Sequence, residues 1–199
     1  MADPETTTLV GVASMYGLPL FTETVKFLYG LATEALKARR EHKKAAGSSL
    51  TVEPQVAAMT PLEPPDIVEG RLDPLIIDFH VLEPLADLLN DLSNGVITYA
   101  QGTDDIDLTD REMLTKLDEL RNLLEVVYSQ RITFKGEQRE ASGPLVKGSI
   151  DVNEVAGYAA AVRAKLVTSG TVIGHSKVEK VFAGGQLVGT EVDTIRPEK

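Results

Sequence analysis

The chain has no cysteine and no tryptophan. Without a thiol it can build no disulfide, no thiolate metal site and no cysteine nucleophile. Aromatic residues make up 5% of the 199 residues, so the core must rest on Leu, Val, Ile and Ala. Histidine occurs three times, as His42, His80 and His175, in separate predicted elements. A catalytic imidazole needs a nucleophile or an orienting carboxylate beside it, and no motif supplies one. Positive charge is also scarce: Lys and Arg number 20 against 30 Asp and Glu, a net charge of −10. That balance argues against nucleic acid as a main partner, because phosphate binding needs concentrated cations. No stretch of roughly 18 residues is free of charges and helix breakers, as a membrane-spanning helix requires. Residues 9–36 come closest, and Glu23, Lys26 and Glu34 interrupt them. Asp3 and Glu5 oppose the basic start of a signal peptide. The expected setting is therefore the cytoplasm, in a bacterial cell.

Against these absences stands an internal repeat near the C-terminus. Val146, Gly148, Val152, Val155 and Val162 recur as Val172, Gly174, Val178, Val181 and Val188, each pair 26 residues apart, with Leu166 and Val192 extending the match. A repeat this short cannot bury its apolar face alone, so the copies are expected to pack on each other or on another chain. Around it the hydrophobic period is two: Val146, Gly148, Ile150 and Val152 fall on one face, and Lys147, Asp151 and Asn153 on the other. Ile132 and Phe134 alternate in the same way, and Gly184-Gly185 supplies positive φ for a tight hairpin turn. The pattern predicts an antiparallel sheet of about five strands, built from two copies of a roughly 26-residue unit.

Upstream the period is helical. Pro19 suits a first turn, and Leu20, Phe21, Val25, Leu28, Ala32 and Leu36 form one apolar face of a helix over about 18–44. That helix ends in Lys37, Arg39, Arg40, Lys43 and Lys44, cations that complement the helix dipole. A glycine-serine and proline-rich stretch follows, with Pro54, Pro61, Pro64, Pro65 and Pro74. Residues 75–81 read as a short buried strand or the start of a helix. Leu85, Leu88, Leu89 and Leu92 then make a helical stripe that ends at Asn94-Gly95 or runs on through Val96 and Tyr99 to Gly102. Thr109-Asp-Arg-Glu112 reads as a capping box, opening a helix over about 110–129. Along that helix Met113, Leu117, Leu120, Leu124 and Val127 form an a/d seam. The expected fold is α+β: an N-terminal helical arm (1–46), a proline-rich linker (47–74), a helical region of amphipathic helices (75–130) and an antiparallel repeat domain (131–199).

Candidate chemistry is thin. Asp78, His80 and Glu83 could offer ligands to a metal, but Asp-x-His is a common chance pairing and no second cluster supports it. The acidic residues Asp104, Asp105, Asp107, Asp110 and Glu112 lack the central glycine and distal Glu of an EF-hand, and suit a helix N-terminus instead. No dinucleotide-binding glycine motif, Walker-type loop or nucleophile elbow is present. The glycines of 184–189 precede a strand and form no phosphate cradle. Gln186-Leu187-Val188-Gly189 resembles the hydrophobic-Gln-hydrophobic-Gly core of amyloid-type signalling motifs such as the RHIM, although Gln186 follows a glycine pair. The tandem V-x-G strands resemble the repeats of bacterial signalling amyloids. Both resemblances cover only a few residues and imply self-assembly.

The leading expectation is a non-enzymatic interaction or assembly protein without cofactor, catalytic residue or metal, acting as a homo-oligomer or as an accessory to a larger protein partner. Two surfaces are expected to carry it: the helix seam, and the repeat sheet through Val146, Val152, Val172, Val178, Val188 and Val192. The alternatives are a peripheral membrane protein held by its basic helix end to anionic lipid, and a carboxylate- or metal-dependent enzyme around Asp78, His80 and Glu83.

Overall fold

The structure, a computed structural model, describes residues 8–48, 57–58, 64–167 and 170–195. It contains α1 (Thr8–Ser48), β1 (Ala57–Ala58), β2 (Ile76–Ile77), α2 (Phe79–Gln101), α3 (Arg111–Tyr128) and β3 (Gln130–Arg131). Then come β4 (Gly143–Val155), β5 (Tyr158–Val167), β6 (Thr171–Val181) and β7 (Gln186–Ile195). The chain divides into two compact units, residues 1–142 and 143–199. The α+β class is as expected. The boundaries expected at 46/47, 74/75 and 130/131 all fall inside the first unit.

The first unit is a three-helix core. Gly17 leaves helical geometry at φ 80° and ψ 173°, so the long apolar helix begins beside it and Pro19 occupies its first turn. Phe21, Val25, Leu28, Leu31 and Ala35 bury against α2 and α3, so this helix belongs to the core rather than to a separate arm. The Tyr128 hydroxyl donates to the Leu31 carbonyl at 2.8 Å and ties α3 to α1. Burial holds that phenol well above its ordinary pKa. Much of the proline-rich stretch, including Pro54 and Pro61, lies outside the described residues. Its described end is packed: Ile67, Val68 and Leu75 are buried, and the Lys135 N–H donates to the Ile67 carbonyl at 2.8 Å.

Residues 75–81 hold both a short strand and a helix start. Asp78 caps α2 by accepting from the His80 N–H at 2.8 Å. That helix passes Asn94-Gly95 and ends at Gly102 in the left-handed region. The capping box is corrected. Asp110, not Thr109, caps α3, accepting from the N–H groups of Glu112 and Met113 at 2.9 and 3.1 Å. Thr109 is engaged upstream, donating its N–H and hydroxyl to Asp107 at 2.8 and 2.7 Å.

The second unit corrects the antiparallel expectation. Strands β4 and β6 pair in parallel, as do β5 and β7, and the two sheets face one another. The unit is therefore a coil of two rungs, β4–β5 and β6–β7, each rung hydrogen-bonded to its counterpart. Of the strand expected around Ile132 and Phe134 only β3 (Gln130–Arg131) forms, in the sheet order β3–β4–β6, and Ile132 and Phe134 themselves are fully buried in the first unit. Val146 lies beside Val172, Gly148 beside Gly174, Val152 beside Val178 and Val155 beside Val181. Beyond the bend the offset changes from 26 to 28, so Val162 pairs with Thr190, not Val188, and Ala164 with Val192. The cause is the bend itself: two residues join β4 to β5, and four join β6 to β7.

Candidate assembly surface

The bends turn the chain from one sheet to the other without reversing it within a sheet. At the second bend the Gly185 N–H donates to the Phe182 carbonyl at 2.8 Å, with Gly184 at φ 84°, the third position of a type II turn. The glycine pair thus makes an inter-sheet bend, not the expected hairpin. The two bends also stack. Phe182 N–H donates to the Val155 carbonyl at 2.9 Å, and Gln186 N–H to the Gly157 carbonyl at 2.7 Å.

Glycine sets the spacing of the sheets. A Cβ on Gly148 would stand 2.5 Å from the Ala161 carbonyl oxygen, and one on Gly174 would collide with the Gly189 backbone carbonyl. Neither obstacle is a side chain that could swing away. The V-x-G pattern therefore records a close approach of two backbones.

The rungs differ in cover. Among the described residues, the buried hydrophobics of this unit are Leu145, Val155 and Val162, all in the first rung. Val155 is 6% exposed, while its neighbour Val181 on the second rung is 44% exposed. Val172, Val178, Val188 and Val192 are half-buried, as is Val152, and Val146 is exposed. Strands β5, β6 and β7 each carry a partner on one side. Charges line the outside in opposite-sign register pairs: Lys177 Nζ is 3.3 Å from Asp151 Oδ2, Arg163 Nε is 3.2 Å from Glu191, and Glu154 is the neighbour of Lys180. The Tyr158 hydroxyl also donates to Glu191.

The helix seam is not a free surface. Met113, Leu117, Leu120, Leu124 and Val127 are all at most 2% exposed within the core of their own unit. Periodicity finds an apolar face but not what covers it; here the covers are α1 and α2. A shallow groove of about 420 Å³ remains between α2 and α3, lined by Leu88, Leu92, Leu123 and Val126 with Glu119 and Asn122.

The basic helix end is largely partnered. Arg39 donates to Glu83 from Nε and Nη2 at 2.9 and 3.0 Å, Lys43 reaches the same carboxylate at 2.6 Å, and Lys37 lies 3.7 Å from Glu34. Arg40 and Lys44 are exposed. The Arg39 and Lys43 hydrogen bonds hold the Glu83 carboxyl down to about 2. Asp78 serves as a cap and Glu83 as an ion-pair partner, so the expected trio with His80 is not brought together. Among the described residues no group of three or more His, Asp or Glu could hold a metal ion, and no helix is long and apolar enough to cross a membrane.

Sequence reasoning missed a buried ionic cluster that fastens residues 130–142 to α3. Arg121, 1% exposed, pairs with Asp118 and Glu137. Glu125, fully buried, accepts from the Ile132 N–H at 3.0 Å and from Arg139 Nη2 at 3.0 Å. Glu137 in turn accepts from the Phe134 N–H at 2.8 Å, and Arg131 pairs with Glu140. Such residues look like a solvated face in sequence; the nearest signal was that Arg121 and Glu125 sit among the seam residues.

No protein family, curated protein or solved structure matches the chain.

Proposed function

We propose that the chain is a non-enzymatic assembly protein whose second unit is a self-association module and whose helical unit is the body that module carries. The observation that carries the reading is the parallel two-rung coil with its outer rung half-covered. A parallel strand pair displays the same hydrogen-bonding pattern on its outer edge as on its inner one, so a further strand of the same sequence can join it. The half-buried valines of the second rung give such an addition apolar surface to remove from water, at about 25 cal/mol per Å². The likeness of Gln186-Leu187-Val188-Gly189 to amyloid-type cores points the same way.

Size-exclusion chromatography with light scattering on the full chain tests this. The expected result is a mass that rises with concentration beyond that of one chain. A constant single-chain mass at millimolar concentration contradicts self-association.

A further inference from the structure

The two sides of the coil are unequal. In the sheet order β3–β4–β6, β4 has a neighbour on each side, and the sheet ends at β3, two residues long, and at β6, eleven residues long. Leu145, Val155 and Val162 of the first rung are buried, whereas Val181 and Phe182 at the end of β6 are 44% and 39% exposed. The sheet therefore offers one long edge, that of β6. Stacking head to tail needs two different surfaces, one to give and one to receive. Pairing about a two-fold axis needs only one, which meets itself.

Such a pair runs the two β6 strands antiparallel, and residues of one face stand opposite residues of the same face. Because side chains alternate along a strand, the axis must pass at a residue, not between two. The charges of β6 choose which residue. Lys177-Val178-Glu179 carries unlike charges on either side of Val178. An axis at Val178 sets each Lys177 opposite the other copy's Glu179, twice by symmetry, with the two Val178 side by side. It also lays the exposed Val181 and Phe182 of each copy opposite His175 and Gly174 of the other. An axis at Ser176 would set Lys177 opposite His175 and Glu179 opposite Ile173. An axis at Lys177, Glu179 or Lys180 would set a charge against itself. Lys177 is 79% exposed even with Asp151 at 3.3 Å, and Glu179 is exposed, so both can reach a neighbour.

From this self-complementary edge we infer that a second copy of this chain pairs its β6 with this β6, antiparallel about Val178, and that the assembly closes as a dimer. The inference rests on the self-association reading and gives that reading its geometry and its size.

The test is sedimentation of the full chain at low salt, comparing wild type with Lys177→Glu, Glu179→Lys and the double exchange Lys177→Glu/Glu179→Lys. The expected wild-type result is a mass that rises with concentration and stops at two chains. Each single variant opposes like charges twice per dimer and should dimerise about tenfold more weakly. The two single variants mixed should pair with each other at close to wild-type affinity, and the double exchange should recover it within about twofold. A merely structural loss at Asp151 would leave the double exchange as weak as Lys177→Glu. Wild-type affinity in Glu179→Lys, or no recovery in the double exchange, overturns the register while self-association stands. A mass growing past two chains overturns the closure. A single-chain mass throughout means that the self-association reading itself fails. Should circular dichroism show that Lys177→Glu does not fold beside Asp151, Glu179→Lys, which leaves that pair intact, carries the test by the same tenfold weakening.

Discussion

Gly148 lies directly beside Gly174 in the parallel register of β4 and β6, and each faces a backbone carbonyl of the opposing sheet. The stacked pair makes a notch through which the two sheets approach, and it accounts for the recurrence of V-x-G in the sequence. Replacing Gly174 by Val drives its Cβ into the Gly189 carbonyl. Overpacking of this kind costs about 1–3 kcal/mol and shifts backbone. Limited proteolysis is expected to cut the variant within 143–199 while the helical signal and its melting transition stay at wild-type values. Protection equal to wild type would mean that the sheets do not meet there.

The ionic cluster on α3 predicts a different sensitivity. Glu125→Ala strands the Ile132 N–H and the Arg139 guanidinium, and breaking a buried pair by removing one partner costs about 3–5 kcal/mol. Urea unfolding of the helical unit should show that loss as a lower midpoint with an unchanged slope. A change below about 0.5 kcal/mol, the size typical of surface substitutions, would contradict the burial of Glu125.

At the start of α3 the two candidate caps separate cleanly. Asp110→Ala removes the acceptor of two N–H groups and should lower stability by about 1 kcal/mol. Thr109→Ala removes one exposed hydroxyl contact to Asp107 and should cost a few tenths of that. The reverse ranking in thermal melts would restore the capping box read from the sequence.

Glu83 gives a pH dependence whose sign follows from its direction of shift. Its folded-state pKa is depressed from 4.5 to about 2 by Arg39 and Lys43. Its stabilising contribution is therefore fully present above about 4.5, and is lost as pH falls toward 2. The carboxylate is 48% exposed, so solvent screening holds that contribution below about 1 kcal/mol. Wild type and Glu83→Gln should differ in urea midpoint at pH 7 and converge near pH 2. A difference that grows on acidification would contradict the ion pairs.

How much of this was legible in sequence depended on the kind of signal. The α3 stripe from Met113 to Val127 was plain because burial on one helical face leaves a period. Its interior role was not, since an a/d seam reads alike whether its partner is α1 of the same chain or another protein. The 26-residue spacing of Val146 and Val172 is the β4–β6 register itself. Parallel and antiparallel strands share the period of two, so the direction of pairing was invisible, and the two extra residues at Phe182–Gly185 shifted β7 out of the simple repeat. Arg121, Glu125 and Glu137 carry charges that normally face water, so nothing local in the sequence announced their burial.

The absence of cysteine makes the central claim directly measurable, because one introduced thiol is the sole labelling site. Glu179 is exposed on β6. With a nitroxide at Glu179→Cys, a copy joined along the β6–β7 edges brings a second label within a few strand spacings of about 4.8 Å each. The account predicts dipolar broadening of the spectrum in assembled protein, relieved by dilution with unlabelled chains. A spectrum unaffected by that dilution would contradict assembly through the β6–β7 edges.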